Sequence, residues 1–334
     1  MGNKIIRTYR KKGCFIAAVG LLCVSVLTAC SSASLSNTAT VEAAPKRIAF
    51  VAPIHAGQQG NAMKLGADAA AKEFGAQLVY IPFEQNEKAA AQRDAALAII
   101  DSGVSAVLID PADNEVLTEI AAKASEHHTP LFALNDETET KGVSGTISVD
   151  NTEAGREAGE AMAELLGGSG KVVIIGKEGN SIDQLQREAG IREKLKQAPN
   201  IEVAYNITCA PIRILCWQAT KKLLDEAHVD GIIPLDAESS LGVADELIHR
   251  GGTNLPAIVT FGSEQEQLEM LQDGVIQTLV VQSGFSTGYL GVKQAVDLMS
   301  GNKPDKAIVL DTTVITADNM FWMGNQKMLF PFVQ

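Results

Sequence analysis

From Lys46 onward, short β-branched runs alternate with longer amphipathic stretches, and this order narrows the accessible folds more than any other feature of the chain. Arg47 to Pro53, Gln77 to Pro82, Ser105 to Ile109 and Leu131 to Leu134 read as strands. Helical patterns lie between them near Asn61 to Phe74, Glu87 to Ser102 and Glu115 to Glu126. A second set follows, with strands near Lys171 to Ile175, Val203 to Ile207, Gly231 to Leu235 and Ala257 to Phe261. Its helices fall near Ile182 to Gln197, Trp217 to Ala227 and Leu241 to Arg250. Strands that are apolar throughout need cover on both faces, which parallel sheets flanked by crossover helices provide. Right-handed crossovers make each set an open lobe, so the expected class is α/β with two doubly wound parallel-sheet lobes.

A spacing shared by the two sets supports like lobes. Asp110 ends a strand and Pro130 opens the next; Asp236 and Pro256 repeat both the roles and the interval. The interval also arises by coincidence between two ordinary βα units, so it supports the architecture without establishing duplication. After the second set come a strand at Thr278 to Gln282, a helix near Gly288 to Met299, a turn at Gly301 to Pro304 and a last strand near Ile308 to Ile315. Such a tail is placed to return to the first lobe and cross again, giving a three-strand hinge.

A chain of 334 residues that is 46% hydrophobic and 20% charged buries a substantial core, which excludes disorder for most of its length. Its first 29 residues hold five cations (Lys4, Arg7, Arg10, Lys11 and Lys12) and no anion. Without them the 28 basic residues fall to 23 against 40 acidic ones, a net charge near −17. That charge repels phosphate backbones and anionic lipid surfaces and argues against a nucleic-acid partner.

Gly13 to Ala29 is uncharged and largely apolar, long enough for a secretory h-region and short for a membrane span. It ends in Leu27-Thr28-Ala29-Cys30, which resembles the lipobox of bacterial lipoproteins and implies cleavage before Cys30 and a lipid on its thiol. The alternative is an uncleaved signal anchor with an incidental cysteine. Residues 1–29 are the expected signal peptide, and 30–45, rich in Ser, Ala and Thr, the lipid-anchored tether.

Cys14 and Cys23 leave with the leader, so only Cys209 and Cys216 remain in the folded part. An even pair outside the cytosol suggests a disulfide. On one helix the two Cα atoms would lie about 10 Å apart, beyond bridging range, but Pro211 allows a loop that bends back to a helix start. The alternative is two free buried thiols. No spacing of Cys and His suits a metal, His127-His128 reads as a solvated helix end, and neither metal nor cofactor is expected.

Two motifs resemble enzyme signatures. Gly284-Phe285-Ser286-Thr287-Gly288 matches a nucleophile elbow, yet all five histidines precede Ser286, whereas hydrolases with this motif place the histidine after the serine. Ser286 and Thr287 as helix caps beside flexible glycines is the better reading. Gly167-Gly168-Ser169-Gly170 lacks the Lys-Ser/Thr pair of a phosphate loop, since Val172 follows Lys171, and reads as a helix stop before a strand.

Taken together, Arg47-Ile-Ala-Phe-Val51, Gly66-Ala67, Val107-Leu-Ile-Asp-Pro111, Pro130-Leu-Phe-Ala-Leu-Asn135, Asp150-Asn151 with Gly155 and Gly159, Leu241-Gly242 and Val281-Gln282 carry a resemblance. In this order, the chain from Lys46 to about Asn319 resembles the periplasmic sugar-binding proteins of the ribose-binding type, the ligand-binding part of bacterial ABC importers. The resemblance implies crossings near Val149-Asp150, Gln282-Ser283 and Asp311-Thr312. The lobes would then be 46–149 plus 283–311 and 150–282 plus 312–334. It also implies that Asn135 and Asp236 bind sugar hydroxyls and that Gln282 contributes at the hinge. Independently, ligands of open α/β sheets sit beyond the carboxyl ends of the strands, the ends that carry these residues.

Departures from the pattern bear on the ligand. Asp136 stands where an Arg is expected, Leu185 where a second Arg is expected, and Gly262 where an Asp is expected. The first loop, Ile54-His55-Ala56-Gly57-Gln58-Gln59-Gly60, lacks the aromatics that stack on a sugar. His55, Gln58, Gln59 and Asp136 form a different polar pocket, or His55 and the two glutamines are plain surface. Trp217 either stacks on ligand or packs in the second lobe.

The expected function is that of a non-enzymatic, monomeric solute-binding lipoprotein. It captures a small polar ligand, a sugar or polyol, between the lobes and presents it to an ABC permease and its ATPase, with a lipid anchor as its membrane contact. The alternatives are a sensory subunit for a membrane receptor or kinase and, more remotely, a surface hydrolase. A transcription repressor sharing the fold is disfavoured, because the leader occupies the place of the DNA-binding segment.

Overall fold

The computed structural model describes residues 46–53, 57–83, 89–136, 139–177, 181–210 and 212–331. The first set of elements is β1 (Lys46–Pro53), α1 (Gly57–Phe74), β2 (Ala76–Phe83), α2 (Ala89–Asp101), β3 (Ala106–Ile109), α3 (Asn114–Glu126), β4 (Leu131–Leu134) and β5 (Gly145–Val149). The second is α4 (Asn151–Leu165), β6 (Ser169–Lys177), α5 (Ile182–Leu195), β7 (Asn200–Cys209), α6 (Arg213–Glu226), β8 (Gly231–Pro234), α7 (Ala237–Arg250), β9 (Ala257–Phe261), α8 (Gln265–Gln272) and β10 (Thr278–Gln282). The tail is α9 (Gly284–Met299), β11 (Ala307–Leu310), β12 (Thr312–Ile315) and α10 (Met323–Leu329).

Two six-stranded sheets result, in the orders β11-β5-β4-β3-β1-β2 and β12-β10-β9-β8-β6-β7. All pairings are parallel except β10 with β12, which is antiparallel. The two-residue period of a strand sorts the apolar residues of the first sheet onto two buried faces. Ala49, Val51, Val107 and Ile109 pack against α2 and α3, while Ile48, Phe50, Leu108 and Leu134 pack against α1 and α9. The second sheet is covered likewise, Val172 and Ile174 facing one cluster and Val173 and Ile175 the other. Each fully buried aliphatic side chain contributes about 1.5–3 kcal/mol of transfer free energy, so these faces drive the layering.

Small residues set the closest helix pairs. A Cβ on Gly66 would lie 1.9 Å from the Phe285 carbonyl oxygen, and one on Gly288 equally near that of Met63, so α1 and α9 touch backbone to backbone. Gly155 and Gly190 do the same for α4 and α5. The glycines around Ser286 therefore serve close packing rather than flexibility. The cap of α9 is Ser283, whose Oγ accepts from the Ser286 N–H at 3.2 Å, with Ser286 and Thr287 inside the first turn.

The final strand expected over Ile308 to Ile315 is two strands in different sheets. Asp311 separates β11, parallel to β5, from β12, antiparallel to β10. The chain thus passes between the sheets after Val149, after Gln282 and at Asp311. Strand β5 and helices α4, α8 and α10 are additional to the elements read from the sequence. Cys209, ending β7, and Cys216, in the first turn of α6, are joined by a disulfide with Cα atoms 5.1 Å apart. Among the described residues no helix is long and apolar enough to cross a membrane, and no cluster of three or more His, Cys, Asp or Glu could hold a metal.

Candidate functional site

The carboxyl ends of the central strands carry the polar groups. Beyond β3, the buried Gln92 amide donates to the Asp110 carbonyl at 2.7 Å and accepts from the Ala112 N–H at 2.8 Å, fixing the loop that bears Asp110. Asn135, just past β4, has φ 56°, a left-handed conformation that Asn tolerates better than most residues, and hydrogen-bonds the Asp110 carboxyl. Burial, and then the charges of Asp136 and Asp183, push the Asp110 carboxyl up to about 7 despite that bond.

The second half supplies the counterpart. Asp236 caps α7, accepting from the Ser239 N–H at 2.9 Å, and also accepts from Gln184 Nε2 at 2.7 Å. Arg187, on α5, donates to Asn151 Oδ1 and to the Leu235 carbonyl, both at 2.9 Å. Its guanidinium lies 4.7 Å from the centroid of the Phe261 ring, and burial lowers its pKa from the usual value. The loop after β9 turns at Gly262, where φ is 111° and a side chain would meet Gln267. Buried Gln267 holds that loop by donating to the Phe261 carbonyl at 3.0 Å and accepting from the Glu264 N–H at 2.9 Å.

A cavity of about 310 Å³ opens between these groups. Gln59 of α1 lines it beside Asn151, Arg187, Asp236, Glu264 and Gln282, with Phe261 as its aromatic wall. Both sheets contribute, and so does the crossing at Gln282, which pairs in register with Thr312. The Gln59 Nε2 is buried and has no hydrogen-bond partner among the described residues, so a donor stands ready for an acceptor brought by a ligand. Across the same gap the Gln58 backbone N–H donates to both Glu264 carboxylate oxygens, at 3.1 and 2.9 Å.

Of the residues singled out from the sequence, Gln59, Asp236 and Gln282 share this cavity. Asn135 and Asp136 lie beside Asp110 at the ends of the first sheet, outside the lining. The Gln58 side chain instead donates to the Leu329 carbonyl at 2.7 Å. His55 and Cys30 fall outside the described residues. Leu185, where the resemblance places an Arg, is half exposed, and the guanidinium enters the cavity from Arg187, two residues on. Trp217 packs edge-on against His249 within the second half. Sequence reasoning missed Arg187, Asn151, Asp110 and Glu264. Arg187 and Glu264 carry no local signal, because each reaches the cavity only once α5 and α8 are packed.

Comparison with known proteins converges on one family. The family model described as the periplasmic binding protein domain matches residues 48–303. The xylitol-binding protein of Mycolicibacterium smegmatis is 26% identical, over 77% of this chain and 73% of its own. The ribose import binding protein RbsB of Haemophilus influenzae is 27% identical, over 76% and 86%. Among solved structures, an ABC transporter solute binding protein from Agrobacterium vitis, bound with alpha-D-tagatopyranose, superposes with a TM-score of 0.77 at 22% identity. The match covers 86% of this chain and 99% of that one.

Proposed function

The chain belongs to the periplasmic binding protein domain family, and from that premise we propose that it captures a small sugar or polyol in the cleft between its two sheets and delivers it to an ABC permease. The observation that carries this reading is the cavity itself. Polar groups from both sheets, Gln59 on one side and Arg187 and Asp236 on the other, converge on a space of about 310 Å³, the lower end of the range for a small-molecule site. The names of the relatives support the ligand class: xylitol, ribose and tagatose are small polyhydroxylated compounds. Such a ligand presents hydroxyls that both donate and accept, matching the mixture of amide, carboxylate and guanidinium that surrounds the space. Binding closes the lobes only if the closed form makes contacts that the open form lacks, and a cavity lined from both sides meets that condition.

The reading extends to the lobes, 46–149 plus 283–311 and 150–282 plus 312–334, hinged at the three crossings. It extends to an extracytoplasmic location with the chain held at the membrane by lipid on Cys30. Thermal-shift screening of the protein against sugars, polyols, nucleosides and amino acids tests the ligand class. A ligand present at 100 times its Kd stabilises the folded state by about 2.7 kcal/mol, so a sugar or polyol should raise the melting temperature by several degrees. Stabilisation confined to nucleosides or amino acids contradicts the proposal.

A further inference from the structure

Asp236 lines the cavity from a helix cap whose supports lead back to the bridge between Cys209 and Cys216. Its Oδ2 accepts from Ser239 Oγ at 2.8 Å and from Gln184 Nε2 at 2.7 Å, and its Oδ1 accepts from the Ser239 N–H at 2.9 Å. Ser239 Oγ in turn lies 4.0 Å from the Cys209 sulfur. The same sulfur is 3.9 Å from the carbonyl oxygen of Gly176 in β6, where a side chain would crowd Gln184 Oε1 at 3.3 Å. Both side chains that hold Asp236 therefore rest on one sulfur, Ser239 directly and Gln184 through Gly176. All four residues, Ser239, Gln184 and the two cysteines, are buried.

The other cysteine fixes the neighbouring helix. Helix α6 meets α7 at Gly242, where a Cβ would lie 2.7 Å from Cys216 Cβ and 2.6 Å from the Arg213 carbonyl oxygen. Arg213 donates to both carboxylate oxygens of Asp245, at 2.6 and 2.7 Å, so the start of α6 is seated on α7. Resting on the sugar or polyol reading above, we propose that Cys209, Cys216 and Ser239 are positioning residues for ligand capture. The bridge holds the end of β7, the start of α6 and the first turn of α7 together, and Ser239 passes that constraint to Asp236. Neither cysteine touches the ligand. A hydrogen bond weakens steeply away from its preferred geometry, so a carboxylate that is free to shift loses affinity while the fold persists. Tight capture thus requires the bridged chain.

The test is calorimetric titration with D-ribose, xylitol and D-tagatose. The proteins are wild type, the double variant Cys209→Ala with Cys216→Ala, Ser239→Ala, which keeps the bridge, and Asp236→Ala alone and combined with the double variant; melting curves verify that each is folded. The double variant and Ser239→Ala should each bind about tenfold more weakly than wild type. In the Asp236→Ala background, breaking the bridge should change affinity less than about twofold, because both act through one carboxylate. A bridge that is only structural lowers the melting temperature and leaves affinity alone, or costs the same factor whether or not Asp236 is present. Either result overturns the inference and leaves the sugar or polyol reading standing. So does a Ser239→Ala variant that binds like wild type, and that variant decides the matter if the double variant does not fold. Wild type that binds none of the three compounds overturns both.

Discussion

The backbone N–H of Gln58 donates to both carboxylate oxygens of Glu264, so a residue of one half caps a helix of the other from 206 positions away in the chain. The first turn of a helix exposes unsatisfied N–H groups and the positive end of its dipole, and a carboxylate placed there stabilises it. The contact can exist only while the halves are together, so it biases the molecule toward closure.

Glu264→Ala should therefore shift the unliganded protein toward an open form. Small-angle scattering should show a larger radius of gyration for the variant than for wild type without ligand, and a similar one once ligand is bound. Identical unliganded scattering would show that Glu264 does not hold the halves together.

Asp110 makes stability depend on pH. Its folded carboxyl titrates at about 7 against roughly 4 in the unfolded chain, so between these values the folded state holds the extra proton. The sign follows: the contribution of this group is most favourable below pH 4 and declines as pH rises to 7. The groups described as facing it are Asn135, Asp136 and Asp183. Asp110→Asn, which keeps a neutral side chain of the same size, should gain stability relative to wild type between pH 5 and pH 7.5 in urea unfolding. A difference between the two proteins that does not change with pH contradicts the assignment.

The disulfide between Cys209 and Cys216 ties the end of β7 to the start of α6. Closing a loop of about eight residues stabilises by about 2–3 kcal/mol on chain-entropy grounds. Reduction should lower the melting temperature measured by calorimetry, and two thiols titrating in denatured, unreduced protein would show that no bridge forms.

Lipid attachment at Cys30 is tested in the producing cell. Cys30→Ala should leave the protein either free of the membrane fraction or as a longer, unprocessed precursor. A variant still labelled by a lipid precursor rules out that anchor.

Much of the fold is legible from local pattern. The apolar runs around Ile48 to Val51 and Val172 to Ile175 are strands buried on both faces, and their alternation with helices fixes the layers. What escapes local reading depends on distant partners. The periodic pattern starts α1 at Asn61, but the helix begins at Gly57 because Glu264 caps it, and Gln58 and Gln59 become helical rather than loop residues. Ile308 to Ile315 reads as one strand by local pattern, broken only by Asp311, and it is the resemblance rather than that pattern that puts a crossing at Asp311-Thr312, where the chain changes sheets. The Asp110 and Asp236 repeat matches in spacing yet not in role: Asp236 caps α7, while α3 is capped by Asp113. The site is legible in part, since Asp236 follows a strand end, Gln282 stands at a crossing, and Gln59 falls in the segment after β1 that opens α1. Arg187 and Glu264 reach it from positions defined only once α5 and α8 are packed.

The central claim, a small polar ligand hydrogen-bonded from both halves, is tested most directly by calorimetric titration of the first sugar or polyol that binds. The proteins compared are wild type, Gln59→Ala from one half, Asp236→Ala from the other and Gln282→Ala at the crossing. Each substitution leaves a buried ligand group without its bond, a loss of about 1–3 kcal/mol, or about five- to 150-fold in affinity. Asp236→Ala also removes a helix cap worth about 1 kcal/mol, so its melting curve confirms that the titrated protein is folded. Weakening in all three variants is the predicted result. Three variants that bind like wild type would place the ligand elsewhere and contradict the account.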